Sequence, residues 1–175
     1  MKQLRLLLLF TMLLMPILVW AEPFTSKYGK FTVTFPSGVG EPQQSVDTYQ
    51  SAAGPATDHT VQLYAGSRLY ECSYGDISDK KIQKVGSTAL LKERKDLLRK
   101  SLTATVEVEA AAKLQNRPAL SFRLTSHRRG VTTYGRVLVV LDGKRLYTIV
   151  YLSSGPADCD SPDANNFLAS FKILS

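Results

Sequence analysis

Asp142-Gly143 stands between two runs of β-forming residues, 131–141 and 145–152, and nothing else in the chain restricts its fold as strongly. Such a dipeptide accepts the positive backbone angles of a two-residue hairpin loop, so the flanking runs become antiparallel neighbours. The first run is apolar on both faces towards its end, which predicts a central strand covered on both sides. Upstream, Ala104, Val106, Val108 and Ala110 alternate with Thr105, Glu107 and Glu109. Leu120, Phe122 and Leu124 alternate with Ser121, Arg123 and Thr125, and Arg128-Arg129-Gly130 reads as a turn. Period-2 alternation places one set on a buried face, so residues 104–152 are expected to form a meander of four strands. Gly135 marks a candidate bulge.

Phe31-Thr32-Val33-Thr34-Phe35 alternates and ends at Pro36-Ser37-Gly38, a strand and its stop. Residues 46–49 suit a short edge strand, and Ala53-Gly54-Pro55 a loop. Residues 60–65 and 69–74 form a second hairpin about Gly66-Ser67, with Gly75-Asp76 closing it. Over 88–102, Leu90, Leu91, Leu97, Leu98 and Leu102 make one helical stripe opposite Lys92, Glu93, Lys95, Asp96, Arg99 and Lys100. The hydroxyl of Ser87 is placed to cap this helix. Ser161-Pro162-Asp163 begins a last helix, with a hydroxyl cap, proline in the first turn and an acid beside it, and Ala164, Phe167, Leu168 and Phe171 are its buried stripe. Runs of antiparallel strands with segregated helices argue an α+β fold, not a parallel doubly wound sheet.

The first 21 residues read as a secretory leader. Met1-Lys2-Gln3-Leu4-Arg5 is basic, Leu6 to Trp20 is almost wholly apolar, and Val19-Trp20-Ala21 fits a cleavage site before Glu22. The apolar run is shorter than the roughly 20 residues a membrane span needs. Residues 22–175 then form one domain in the periplasm or outside the cell, with no span left after cleavage. The whole chain has 22 basic and 15 acidic residues; without Lys2 and Arg5 a formal charge of +5 remains.

Three pieces of this domain together resemble the PsbP-like group, small exported domains named after an extrinsic protein of photosystem II, with relatives in many bacteria. Tyr28-Gly29-Lys30-Phe31-Thr32-Val33-Thr34-Phe35-Pro36 is similar to the group's opening strand, and Arg145-Leu146-Tyr147 to the entry of its last strand. Ser161-Pro162-Asp163-Ala164 and Phe167-Leu168-Ala169-Ser170-Phe171-Lys172 are similar to its closing helix. Asn116-Arg117-Pro118-Ala119 departs from the pattern, where a glycine-rich turn is expected. The resemblance implies a central antiparallel β-sheet with helices packed on its faces, an α/β/α sandwich. It implies no enzyme, no cofactor and no photosynthetic role.

Motifs for catalysis are missing. The two histidines, His59 and His127, stand in no metal-ligand spacing with Cys, Asp or each other. There is no Gly-x-Ser-x-Gly elbow and no glycine-rich phosphate loop. Cys72 and Cys159 are the only cysteines. In an exported chain two cysteines most often pair, and this bridge would staple the last helix to the sheet with about 4–5 kcal/mol of stabilisation. The alternative is two free buried thiols in a poorly oxidising host. Tyr64, Tyr70, Tyr74, Tyr134, Tyr147 and Tyr151 all fall on expected strands, where they form either cross-strand pairs or the lining of a ligand groove.

Positive charge is concentrated in Lys80, Lys81, Lys84, Lys92, Arg94, Lys95, Arg99 and Lys100, against Glu93 and Asp96. With Arg128 and Arg129, the lysines at 80, 81 and 84 are the candidate residues for binding an anion or a partner. Glu93 and Asp96 fall three or four residues from several cations of the helix but not from Lys80, Lys81 and Lys84, so the field is expected to be strongest at the approach to the helix. A solvated helix face is the plainer reading. Three functions remain: a non-catalytic binding or assembly accessory domain for an unknown protein partner, a peripheral binder of anionic surfaces, or a hydrolase with a dispersed site. No nucleic-acid partner is expected.

Overall fold

The computed structural model describes residues 22–51 and 54–175; the expected secretory leader, residues 1–21, lies outside them. Two sheets form. The large one has seven antiparallel strands in the order β3-β4-β5-β9-β8-β7-β6: β3 Gln43–Ser51, β4 Gly54–Ala65, β5 Arg68–Asp76, β6 Ala104–Leu114, β7 Arg117–Arg128, β8 Val131–Asp142 and β9 Arg145–Ser153. The small one joins β1 Phe24–Ser26, β2 Phe31–Val33 and β10 Lys172–Ile173 in the order β1-β2-β10. The helices are α1 Asp79–Val85, α2 Ser87–Ser101 and α3 Pro162–Ser170, with a 3-10 turn at Pro156–Asp160.

The expected meander is present as β6–β9. Asp142 pairs with Arg145, and Gly143 turns the hairpin at φ +58°. At the departure from the family pattern, Leu114 pairs with Arg117 and the loop residues Gln115 and Asn116 adopt φ of 48° and 66°. That is the left-handed pair a tight hairpin loop demands, supplied without glycine. Gly135 is no bulge: it pairs regularly with Leu124 and Leu152. A Cβ there would come within 2.6 Å of Leu152 Cδ2 and 2.9 Å of Leu124 Cδ1, so any larger residue makes those side chains shift. The bulge lies instead between Val106 and Val108 on the edge strand β6. It changes the face that follows, which leaves Val108 exposed. Gly54 and Pro55, expected in a loop, pair with Ser51 and Gln50, because the β3–β4 ladder runs on past the end of β5.

Each face of the large sheet carries its own core. Val61, Leu63, Tyr70, Cys72, Tyr147, Ile149 and Tyr151 meet the small sheet and α3 through Phe31, Val33, Phe167 and Phe171. On the opposite face Leu120, Phe122, Leu124, Val137, Val139 and Val150 meet Leu90 and Leu91 of α2. Helices thus lie on both faces, as the resemblance implies. Tyr70 pairs with Tyr151 and Tyr74 with Tyr147, so the tyrosine alternation marks cross-strand pairs, three of the four fully buried. Leu97 faces solvent, since Leu90, Leu91, Leu98 and Leu102 already complete the buried stripe.

Two features of the helices differ from the sequence reading. Gly86, not Ser87, is the N-cap of α2, and it makes no side-chain cap bond. The extra helix α1 precedes it, capped by Ser78, whose side chain accepts from the Lys81 amide. Ser161 caps α3 as expected, accepting from the Ala164 amide at 3.3 Å.

Candidate partner-binding groove

Between the small sheet and the β3–β4–β5 half of the large one lies a cleft of about 330 Å³. Strand alternation builds it: Val61 of β4, with Cys72 and Tyr74 of β5, points toward Phe31 of β2 and Phe24 of β1 and forms an apolar floor. Gln44, Ser45 and Val46 of β3, His59 of β4 and Tyr28 from the β1–β2 turn form the rim. Tyr28 is 89% exposed and Val46 61%, so apolar surface continues from the floor out to solvent.

Aromatic packing and one arginine hold the groove in shape. The His59 ring stacks on Tyr74 at 4.7 Å and 8°, and Phe31 meets Tyr74 edge-on at 6.1 Å. Arg145 sits 5.0 Å from the centre of the Tyr74 ring. It also donates to Asp76 at 2.8 and 3.1 Å and to the Tyr28 carbonyl at 2.6 Å. The buried Tyr147 hydroxyl donates to the Gly29 carbonyl at 2.8 Å. These bonds pin the β1–β2 turn over the sheet. The Arg145 guanidinium holds the Asp76 carboxyl below its ordinary range, and burial pushes the Tyr74 hydroxyl up.

Burial raises the Cys72 thiol well above its ordinary range, which disfavours its thiolate. Among the described residues no three His, Cys, Asp or Glu side chains converge on a point where a metal would sit. The groove instead offers aromatic and aliphatic carbon with a thin polar rim.

One wall of this groove is a sheet edge. Among the described residues no strand pairs with the outer side of β3, and Gln43 to Thr48 are exposed. The strand has nine residues, one charge at Asp47, no proline or lysine, and an unbroken register with β4. The other edge, β6, carries Glu107, Glu109, Lys113 and the bulge. Charges and bulges are the devices that blunt an edge, so β6 is protected and β3 is not.

The basic residues singled out in the sequence do not form one patch. Lys80, Lys81 and Lys84 are on α1, which packs beside the first half of α2. Lys81 is not free: its Nζ lies 2.6 Å from Glu93 Oε1, brought close by the fold and not by sequence spacing. Arg128 and Arg129 are at the far end, beyond Ser126, whose hydroxyl donates to the Leu102 carbonyl just past α2. A 15-residue helix, about 22 Å long, separates the two clusters.

The expected disulfide is absent, and both thiols are free and buried. Cys72 lies opposite Ile149, whereas Cys159 Sγ is 4.0 Å from Ser153 Oγ. Positions 149 and 153 are four residues apart along β9, or about 13 Å, and a disulfide tolerates less than about 7 Å between Cα atoms. The turn that carries Cys159 is held at that end by arginines: Arg136 donates to the Cys159 carbonyl at 2.8 Å, and Arg68 pairs with Asp158 at 3.0 Å.

The sequence offered a tyrosine-lined groove as one of two readings, and of those six tyrosines only Tyr74 lines this one. Phe24 lies in a three-residue strand too short to show alternation.

No protein-family profile matches the sequence, and no curated protein sequence matches it. Among solved structures the chain is similar to cyanobacterial PsbP (CyanoP) from Synechocystis sp. PCC 6803. The TM-score is 0.58 at 10% identity, over 91% of this chain and 97% of that one. It is also similar to a protein from Bacteroides thetaiotaomicron, with TM-score 0.52 and 9% identity, over 89% of this chain and 49% of the other. Likeness at such low identity is likeness of fold, and it agrees with the two-faced sheet, the small opening strands and the closing helix: the chain has a PsbP-like α+β fold.

Proposed function

We propose that this is an exported, non-catalytic accessory domain that holds an extended segment of a partner protein along the β3 edge, with an apolar or aromatic side chain of that segment in the groove. One observation carries the reading: the unblunted edge strand is itself a wall of the aromatic-floored cleft, through Gln44, Ser45 and Val46. Strand addition takes its affinity from main-chain hydrogen bonds and its specificity from pockets that receive alternate side chains. The PsbP-like fold supports an accessory role at a coarse level. Export rests on the leader in residues 1–21.

Photo-cross-linking in the cell envelope tests it. A benzophenone residue in place of Gln44 is expected to give a discrete adduct with another protein, whereas one in place of Lys113 on β6 gives none. Adding Val46→Lys, which blunts the edge, should abolish the adduct and leave the melting temperature nearly unchanged. Equal labelling from both edges, or an adduct indifferent to Val46→Lys, refutes the reading.

A further inference from the structure

The second surface lies at the opposite end of the sheet from the β3–β4 hairpin loop, and it does not depend on the groove. Strand β7 pairs with β6 only as far as Ser126, opposite Ala104, and β8 pairs with β9 only from Tyr134, opposite Ser153. The β7–β8 hairpin therefore overhangs both neighbours by two or three residues, roughly 10 Å. Its loop, Arg129 and Gly130, takes φ of 52° and 77°, and Arg128 pairs with Val131 just before it.

Alternation places Arg128 and Val131 on the face that α2 covers, because Ser126, two residues earlier, reaches the Leu102 carbonyl from that face. The last turn of α2 ends there and contributes Arg99 and Lys100. The elements that carry these four cations thus end at the same tip. The acid nearest them in the helix is Asp96, 3.8 Å from Arg99 with both side chains about half exposed, a weak pair. Glu109, the next acid on that face, is engaged by Lys95 at 2.6 Å. At α1, by contrast, Lys81 is neutralised by Glu93 and Asp79 sits beside Lys80.

Apolar side chains are exposed among these cations. Val131 is 59% exposed at the overhanging tip, and Leu97, one helical turn before Lys100, is 49% exposed. A lipid interface uses both: cations are drawn to anionic headgroups while short apolar side chains enter the acyl boundary.

We infer that the tip formed by Arg99, Lys100, Arg128, Arg129 and Val131 docks on the surface of an anionic lipid bilayer. No helix among the described residues is long and apolar enough to cross a membrane, so the contact is peripheral.

Sedimentation with vesicles tests this, using the protein as it accumulates after export. Vesicles of phosphatidylglycerol and phosphatidylcholine should carry it down at low salt, and pure phosphatidylcholine should not. Arg128→Glu with Arg129→Glu should weaken binding at least tenfold, from about fivefold per cation. The same reversal at Lys80 and Lys84 should change it less than twofold. Val131→Ser should also weaken it, most visibly at physiological salt, where the apolar contribution is the larger share. The inference falls if phosphatidylglycerol vesicles fail to bind, or if the Lys80/Lys84 reversal weakens binding as much as the tip reversal. It falls equally if Val131→Ser has no effect, since the tip would then read charge alone, as an acidic protein would supply. Unchanged melting temperatures of the variants separate these outcomes from unfolding.

Discussion

Arg94 of α2 reaches through to Asp58 of β4, with Nη1 2.9 Å from Oδ2, and both side chains are mostly buried, at 15% and 22% exposure. Its Nε donates to Thr148 on β9 at 2.9 Å and its Nη2 to Ser73 on β5 at 3.3 Å. One side chain thus ties the helix to three strands where the apolar core thins toward β4. Gly75 makes room for it: a Cβ there would lie 2.5 Å from Asp58 Oδ1. Arg94→Met strands Asp58 and two hydroxyls, and should cost about 2–3 kcal/mol, somewhat below a fully buried pair. Pairing it with Asp58→Asn should recover part of that loss. Chemical denaturation of the four proteins in a double-mutant cycle measures the coupling, and strict additivity would count against the ion pair.

Gly135→Ala introduces a methyl into the contact between Leu124 and Leu152 in the second core. Leu124 is buried in that cluster and Leu152 packs against it, so the cost should be about 1–3 kcal/mol, seen as a lower midpoint with the denaturant slope unchanged. A neutral result would mean that this core is loosely packed.

Much of the fold was legible in the sequence because local rules and tertiary packing agree there. Asp142-Gly143 set a hairpin, Ser161-Pro162 a helix start, and the 90, 91, 98, 102 stripe a buried face. What was not legible depends on partners distant in sequence. Arg94 looks like one more cation of a basic run, and only Asp58, 36 residues earlier, makes it structural. Lys81 looked free until the fold brought Glu93 to it. Val108 read as core because alternation assumes an unbroken register, and one bulge reverses it. The groove joins five strands from the first 76 residues, and of these β1 is too short and β3 too exposed for a periodic signal to emerge.

Free cysteines give a direct chemical test. Thiol titration of the protein unfolded without reductant should count two thiols, and reductant should leave the melting temperature of the native protein unchanged. In the native state neither thiol should react quickly, since burial raises both above their ordinary range. Zero thiols on unfolding would require the Cys159 turn to sit some four strand positions from where Arg136 and Arg68 now hold it.

Two carboxyls on β5 should give the stability opposite dependences on pH. Asp76 is held below its ordinary range by the hydrogen-bonded Arg145 guanidinium. Its contribution is present above the ordinary carboxylate range, near pH 4, and is lost as the pH falls through the lowered value. Glu71 is the reverse. Burial raises its range, Arg94 opposes this only in part, and the charge of Asp58 adds a little in the same direction as burial. The fold therefore disfavours ionised Glu71, so stability is lost as the pH rises through the raised value and regained below the ordinary one. Glu71→Gln should accordingly raise the melting temperature at pH 8 by a few degrees, the shift about 1 kcal/mol gives a domain of this size. The gain should shrink toward pH 4, where the native carboxyl is protonated as well. Asp76→Asn should lower the melting temperature at pH 7 and converge on the native protein near pH 2. Melting curves at four pH values suffice, and a Glu71→Gln variant less stable than the native protein at pH 8 would show that the ionised carboxylate is held by Arg94 after all.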